Sequence, residues 1–119
     1  MRWPSLLVLL GCSSPLAPVV PIIDVWFEDV PVSQYYYDAN TWYAFQAHAT
    51  QTPADTTYWM LEAETDLGWI RVDSGKSNPG ERAGHRFYVA RHEPMSLKIT
   101  AWGPSVGPVI SNLDYKGGL

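Results

Sequence analysis

The chain has 119 residues, with 8 Lys and Arg against 12 Asp and Glu, for a formal charge of −4. That length supports one domain with a single core. Between Trp3 and Ile70 there is no Lys or Arg, while eight carboxylates lie there, so no continuous basic stripe exists and nucleic acid and anionic headgroups are poor partners. A single cysteine excludes an intradomain disulfide, leaving packing to hold the fold, with 6 Trp, 7 Tyr and 3 Phe available for it.

The N-terminus reads as a secretory leader. Arg2 supplies a positive charge, Leu6-Leu7-Val8-Leu9-Leu10 a short apolar middle, and Gly11 a small residue ahead of Cys12, the only cysteine. Pro4 interrupts any helix begun earlier. Leu9-Leu10-Gly11-Cys12 resembles the lipobox of bacterial lipoproteins. The resemblance implies a signal peptide over 1–11, cleavage before Cys12 and acylation of that cysteine. So brief a leader resembles those of some phage-encoded lipoproteins. Ser13 and Ser14 lack the aspartate that resembles an inner-membrane retention signal, so in a two-membrane host the outer membrane is the expected site. Each buried methylene of an acyl chain contributes about 0.8 kcal/mol, so two or more chains hold a protein on a membrane without help from basic residues. No stretch approaches the ~20 apolar residues of a spanning helix. The competing reading makes residues 1–10 an apolar arm and Cys12 an ordinary thiol.

Ser13 to Pro21 holds three prolines and reads as an extended spacer, giving a tether over 12–21. Val19 to Val30 is the first strand, with Ile23, Val25 and Phe27 alternating against Asp24, Trp26 and Glu28. Pro31 to Asn40, with Tyr35, Tyr36 and Tyr37, reads as a loop. A second strand runs from Thr41 to Gln51, with Tyr43, Phe45, Ala47 and Ala49 on one face. Thr57 to Thr65 is the third, and Thr65-Asp66-Leu67-Gly68 turns it into Trp69 to Asp73. Ser74 to Gly84, rich in Gly, Ser, Asn and Pro, is expected to be a long exposed loop. His85 to Arg91, Met95 to Trp102 and Val109 to Tyr115 complete seven strands.

Seven short strands at this spacing predict an all-β fold, an antiparallel seven-stranded sandwich over residues 22–116 with a tail at 117–119. Tyr43-x-Phe45-x-Ala47-x-Ala49, Tyr58-Trp59 and Leu97-Lys98-Ile99-Thr100-Ala101 resemble immunoglobulin-like domains, particularly the disulfide-free polycystic-kidney-disease and fibronectin type III modules. The chain departs from the antibody pattern in lacking both cysteines, and no tyrosine occupies the corner before the penultimate strand.

Few residues point to chemistry. Gly103-Pro104-Ser105-Val106-Gly107 fits G-x-S-x-G, but a nucleophile elbow needs a strand-to-helix turn and a histidine later in the chain, and none follows. His48, His85 and His92 lack metal-ligand spacing and are expected on the solvated surface. Asp24, Glu28 and Asp29 offer too few oxygens for calcium. No cofactor and no metal are called for, and the expectation is a non-enzyme.

The aromatics are the best functional signal. Alternation places Trp26, Trp42 and Trp102 outward, and with Tyr35, Tyr36 and Tyr37 they form the candidate partner-binding set. The leading expectation is a membrane-anchored envelope lipoprotein whose non-catalytic sandwich binds an envelope or extracellular protein or glycan. The alternative is a structural subunit of a phage virion or surface assembly, its apolar arm docking on a neighbour. A homo-oligomer is compatible with either.

Overall fold

The computed structural model describes residues 19–30 and 42–118, with the Trp42 side chain left aside. These residues form seven strands: β1 (Ile22–Val30), β2 (Trp42–Thr52), β3 (Thr57–Thr65), β4 (Gly68–Ser77), β5 (Ala83–Ala90), β6 (Met95–Gly103) and β7 (Val106–Tyr115). All the pairings are antiparallel, in a three-stranded sheet of order β1-β2-β5 and a four-stranded sheet of order β4-β3-β6-β7. This is the expected immunoglobulin-like sandwich. In constant-type domains the fourth strand joins the sheet of strands one, two and five; here β4 pairs with β3.

The core follows from alternation. Ile23, Ala47, Ala49 and Ala83 point inward from the three-stranded sheet, and Trp59, Leu61, Leu97, Ile99 and Ala101 from the other. The small side chains of β2 and β5 leave room for the large ones of β3 and β6, which interdigitate as close packing requires. An aromatic group extends this core toward one end: Phe45 stacks on Phe87, Phe27 meets Phe87 edge-on, and Tyr43 and Tyr115 pack against Phe45. The Tyr115 hydroxyl donates to the Arg91 carbonyl at 2.5 Å, and the Gly118 amide donates to the same oxygen. Desolvation raises the Tyr115 phenol above its ordinary value, which keeps it a donor. The last strand thus pins the β5–β6 turn, a task for which the sequence offered no corner tyrosine.

Two boundaries differ from expectation. Residues 74–77 belong to β4 and residues 83–84 to β5, so the expected loop from Ser74 to Gly84 shrinks to 78–82. Gly75 and Ser77 are inward-facing positions there: Gly75 lies opposite Trp59, and a Cβ on it would come 3.0 Å from the indole. The glycine that resembles a turn signal makes space for a tryptophan. β7 begins at Val106 instead of Val109, so the Gly103 to Pro108 connection becomes a tight turn at Pro104 and Ser105. Pro108 is tolerated because β7 is an edge.

The sandwich has two poles. Val19 to Pro21 lead into β1 beside the end of β2, where Ile22 pairs with Thr52. The β3–β4 turn, the β5–β6 turn and the end of β7 lie at the opposite pole, about one nine-residue strand or roughly 30 Å away. On the side where β4 and β5 border each other, His85 Nδ1 lies 2.7 Å from Asp73 Oδ2 and links the two sheets.

Gly84 has φ +150° and lies opposite His48, and a Cβ there would collide with the Ala47 carbonyl oxygen. Gly84→Ala is expected to lower stability by about 3 kcal/mol, as overpacking plus backbone strain does, read as a shift in urea midpoint with unchanged slope.

Candidate functional site

Of the three tryptophans expected to face outward, the two whose side chains are described, Trp26 and Trp102, serve different faces. Trp26 projects from the outer face of the three-stranded sheet opposite His48. Its ring lies 5.2 Å from the imidazole, its Nε1 donates to Glu28 Oε1 at 3.4 Å, and the Arg82 guanidinium sits over the indole at 5.7 Å. Glu28 Oε1 is 2.5 Å from His48 Nε2 and 4.0 Å from Arg82 Nη1. Together these groups form a cap under which His48 is 1% exposed. His48 was expected to be solvated, and its strand face is the expected outer one. The cap from the neighbouring strand buries it, and strand parity does not register such a cap.

The imidazole is held by packing more than by hydrogen bonds. The Glu28 contact lacks hydrogen-bond alignment, and Nδ1 has no partner among the described residues. Desolvation pushes His48 below its ordinary 6.5, opposed by the Glu28 carboxylate and aided by Arg82 and Arg86. It is therefore neutral at pH 7.

Trp102 projects from the outer face of the four-stranded sheet. It stacks on Tyr58 of the adjacent strand at 6.0 Å and 18°. On the same face Lys98 Nζ lies 4.4 Å from the Trp69 ring centroid and 3.7 Å from Glu62 Oε1. Met60 and Thr100, paired and half-buried, lie between these two groups. Tyr58, Trp102, Trp69, Lys98 and Glu62 make one mixed aromatic and charged surface.

Trp26 and Trp102 thus sit on opposite faces of the sandwich, and the expected single patch does not unite them. Alternation decides inward against outward but not which sheet a strand joins. Trp42 starts β2, its backbone paired with Ala90. Tyr35, Tyr36, Tyr37 and Cys12 lie outside the described residues. The chain leaves β1 at Val30 and resumes in β2 at Trp42, both at the pole that carries the β3–β4 turn.

The comparisons with known proteins add little. No protein-family model matches the chain, and no curated protein matches it. One solved structure, a Bordetella pertussis protein described as ApaA, is 13% identical, covering 87% of this chain and 98% of its own, with a TM-score of 0.35. Similarity at that level carries no argument, so the fold stands on the strand order and register above.

Sequence reasoning passed over β4 as a surface. Leu67 is 95% exposed, Ile70 50%, Val72 47% and Trp69 38%. The signal is present as four apolar residues in six positions, but an apolar hairpin strand carries no local mark of its exposure. Elsewhere, Ser105 sits in a strand-to-strand hairpin turn, where an elbow would need strand-to-helix geometry. Asp24 and Glu28 share one face of β1 while Asp29 takes the other, and among the described residues no group of three or more His, Cys, Asp and Glu converges.

The buried His48 sets a pH dependence. Its folded pKa lies below its unfolded one, so its contribution is full above pH 6.5 and is lost as pH falls through the folded value. Wild type is expected to lose more stability than His48→Gln between about pH 7.5 and about pH 5.5, measured as the difference in urea midpoints. Equal losses would show that His48 stays paired when protonated.

Proposed function

We propose that the protein is a membrane-anchored lipoprotein of the cell envelope, held by lipid on Cys12, whose non-catalytic sandwich binds a protein or glycan partner. The observation that supports this most is the outer face of the four-stranded sheet, where Tyr58, Trp102 and Trp69 stand together with Lys98 and Glu62. Aromatic side chains have few rotamers to lose and gain much contact area, which makes them frequent anchors of interfaces. Trp26 is left out of this surface, because its ring is engaged in covering His48.

The geometry suits a tethered display. Val19 to Pro21 lie at one pole, so a domain held from that end presents the β3–β4 turn and the exposed side chains of β4 at the other. The anchor itself rests on Leu9-Leu10-Gly11-Cys12.

A second reading, a structural subunit of a phage virion or surface assembly, draws on the same exposed apolar run of β4, which suits a permanent contact between subunits.

Intact mass separates the two. Native protein from a bacterial host is expected to lack residues 1–11 and to carry acyl mass, and Cys12→Ala to keep the leader. If both keep it and stay soluble, the anchor is wrong and assembly becomes the better reading. Against fractionated envelope, Trp102→Ala is expected to weaken binding about 30-fold, the loss from one central aromatic anchor, with an unchanged far-ultraviolet spectrum. Undiminished binding by that variant would remove this face from the site.

A further inference from the structure

β4 is an open edge with an unusual composition. Among the described residues it pairs with β3 alone, so its other side presents amides and carbonyls that none of them pairs. The adjoining turn is pre-formed: Thr65 Oγ1 donates to the Gly68 carbonyl at 2.7 Å and accepts from the Leu67 amide at 3.2 Å. From that turn to Val72 the strand exposes Leu67, Trp69, Ile70 and Val72 in close succession. Among the described residues the other exposed large apolar ones are Val19, Val20 and Ile22 at the far pole and Ile110 on β7.

Four carboxylates, Glu62, Glu64, Asp66 and Asp73, flank this edge, yet two of its cations make no ion pair with them. Glu62 is engaged by Lys98 and Asp73 by His85, which leaves Arg71 and Lys76 without an acidic partner among the described residues. Both lie on the outer face, because their β3 neighbours are Glu62 and Tyr58. The register jumps from Asp73 to Arg71, so Val72 is an extra residue. Lys76, Ser74 and Arg71 therefore occupy three successive outward places, opposite Tyr58, Met60 and Glu62. A strand laid along the open side would meet both cations if it carried acids four residues apart.

Resting on the reading of the sandwich as a binding module, we propose that β4 is a docking edge for an extended acidic segment of another protein, which adds to the four-stranded sheet as a fifth strand. Backbone hydrogen bonds supply affinity in this mode, and alternate side chains supply selectivity. The cations also decide against a second copy. Two β4 strands paired about a two-fold would gather two Arg71 and two Lys76 in one strip, and like charges across strands repel. Lys and bulges are devices by which edges avoid self-association; here they leave an acidic partner as the favoured occupant.

The test is a titration of the full chain with the peptide Thr-Glu-Val-Thr-Val-Glu-Val-Thr, capped at both ends and followed by backbone amide shifts. Shifts are expected along 68–77, weakening with added salt. A peptide with Lys at both Glu positions is expected to give none, and Arg71→Glu combined with Lys76→Glu to weaken the response about tenfold or more. Both substituted positions are exposed, and unchanged shifts in β2 and β6 would show that the variant is folded. Shifts at Tyr58, Met60, Thr100 and Trp102 without β4 would overturn the edge and leave the aromatic face as the site. No response, or an equal response to the lysine peptide or in the double variant, would also overturn the edge. Concentration-dependent β4 shifts without peptide would assign the edge to a second copy instead. The mass of the Cys12 form and the Trp102→Ala binding loss are measured separately, so failure here is distinguishable from failure of the anchored-module reading.

Discussion

The contact between the Trp59 indole and the bare backbone of Gly75 determines where β4 can lie. Trp59 is nearly buried among alanines, and the strand covering it on one side must offer no side chain at the point of crossing. Gly75 meets that condition, and β4 then pairs with β3 along its whole length. Asp73, two residues earlier on the same inward side, is thereby carried to His85 on the neighbouring sheet. Placed on the other sheet, β4 would pair with β5 and become the edge of that sheet instead, and Trp69 would leave the outer face it shares with Lys98.

A division of sizes also shapes the core. Where Ala47, Ala49 and Ala83 line the three-stranded sheet, Leu61, Ile99 and Trp59 fill the space from the other, while toward the opposite end Phe27, Phe45 and Phe87 supply the bulk. Replacing a large residue such as Leu61 removes contacts from both layers. The two partnered histidines show how position governs one residue type. His48, on an outer face, is sealed by a tryptophan and kept neutral, while His85, on an inner face, reaches a carboxylate at the seam between sheets.

Strands with clean alternation were legible in the chain: β3 has the bounds its pattern predicts, and the inward set of β2 is Tyr43, Phe45, Ala47 and Ala49 as read. Glycine and serine misled at β4 and β5, because the residues that permit turns also permit close approach to a large ring. The outward direction of Trp26 and Trp102 was readable, but their separation onto opposite faces depends on sheet membership, a long-range property with no local mark. The exposure of Trp69, Ile70 and Val72 has the same origin, since an apolar stripe looks alike whether or not a neighbouring strand covers it.

The two-pole arrangement also has a mechanical side. A pull applied at Val19 against a load held at the β3–β4 turn runs along the axis of β1. The nine paired positions between β1 and β2, from Ile22 with Thr52 to Val30 with Ala44, are then strained together in shear. A ladder loaded in that direction must yield many bonds at once, whereas one peeled from its end yields them singly. Attachment at the start of β1 would therefore load the β1–β2 ladder in shear and not by peeling.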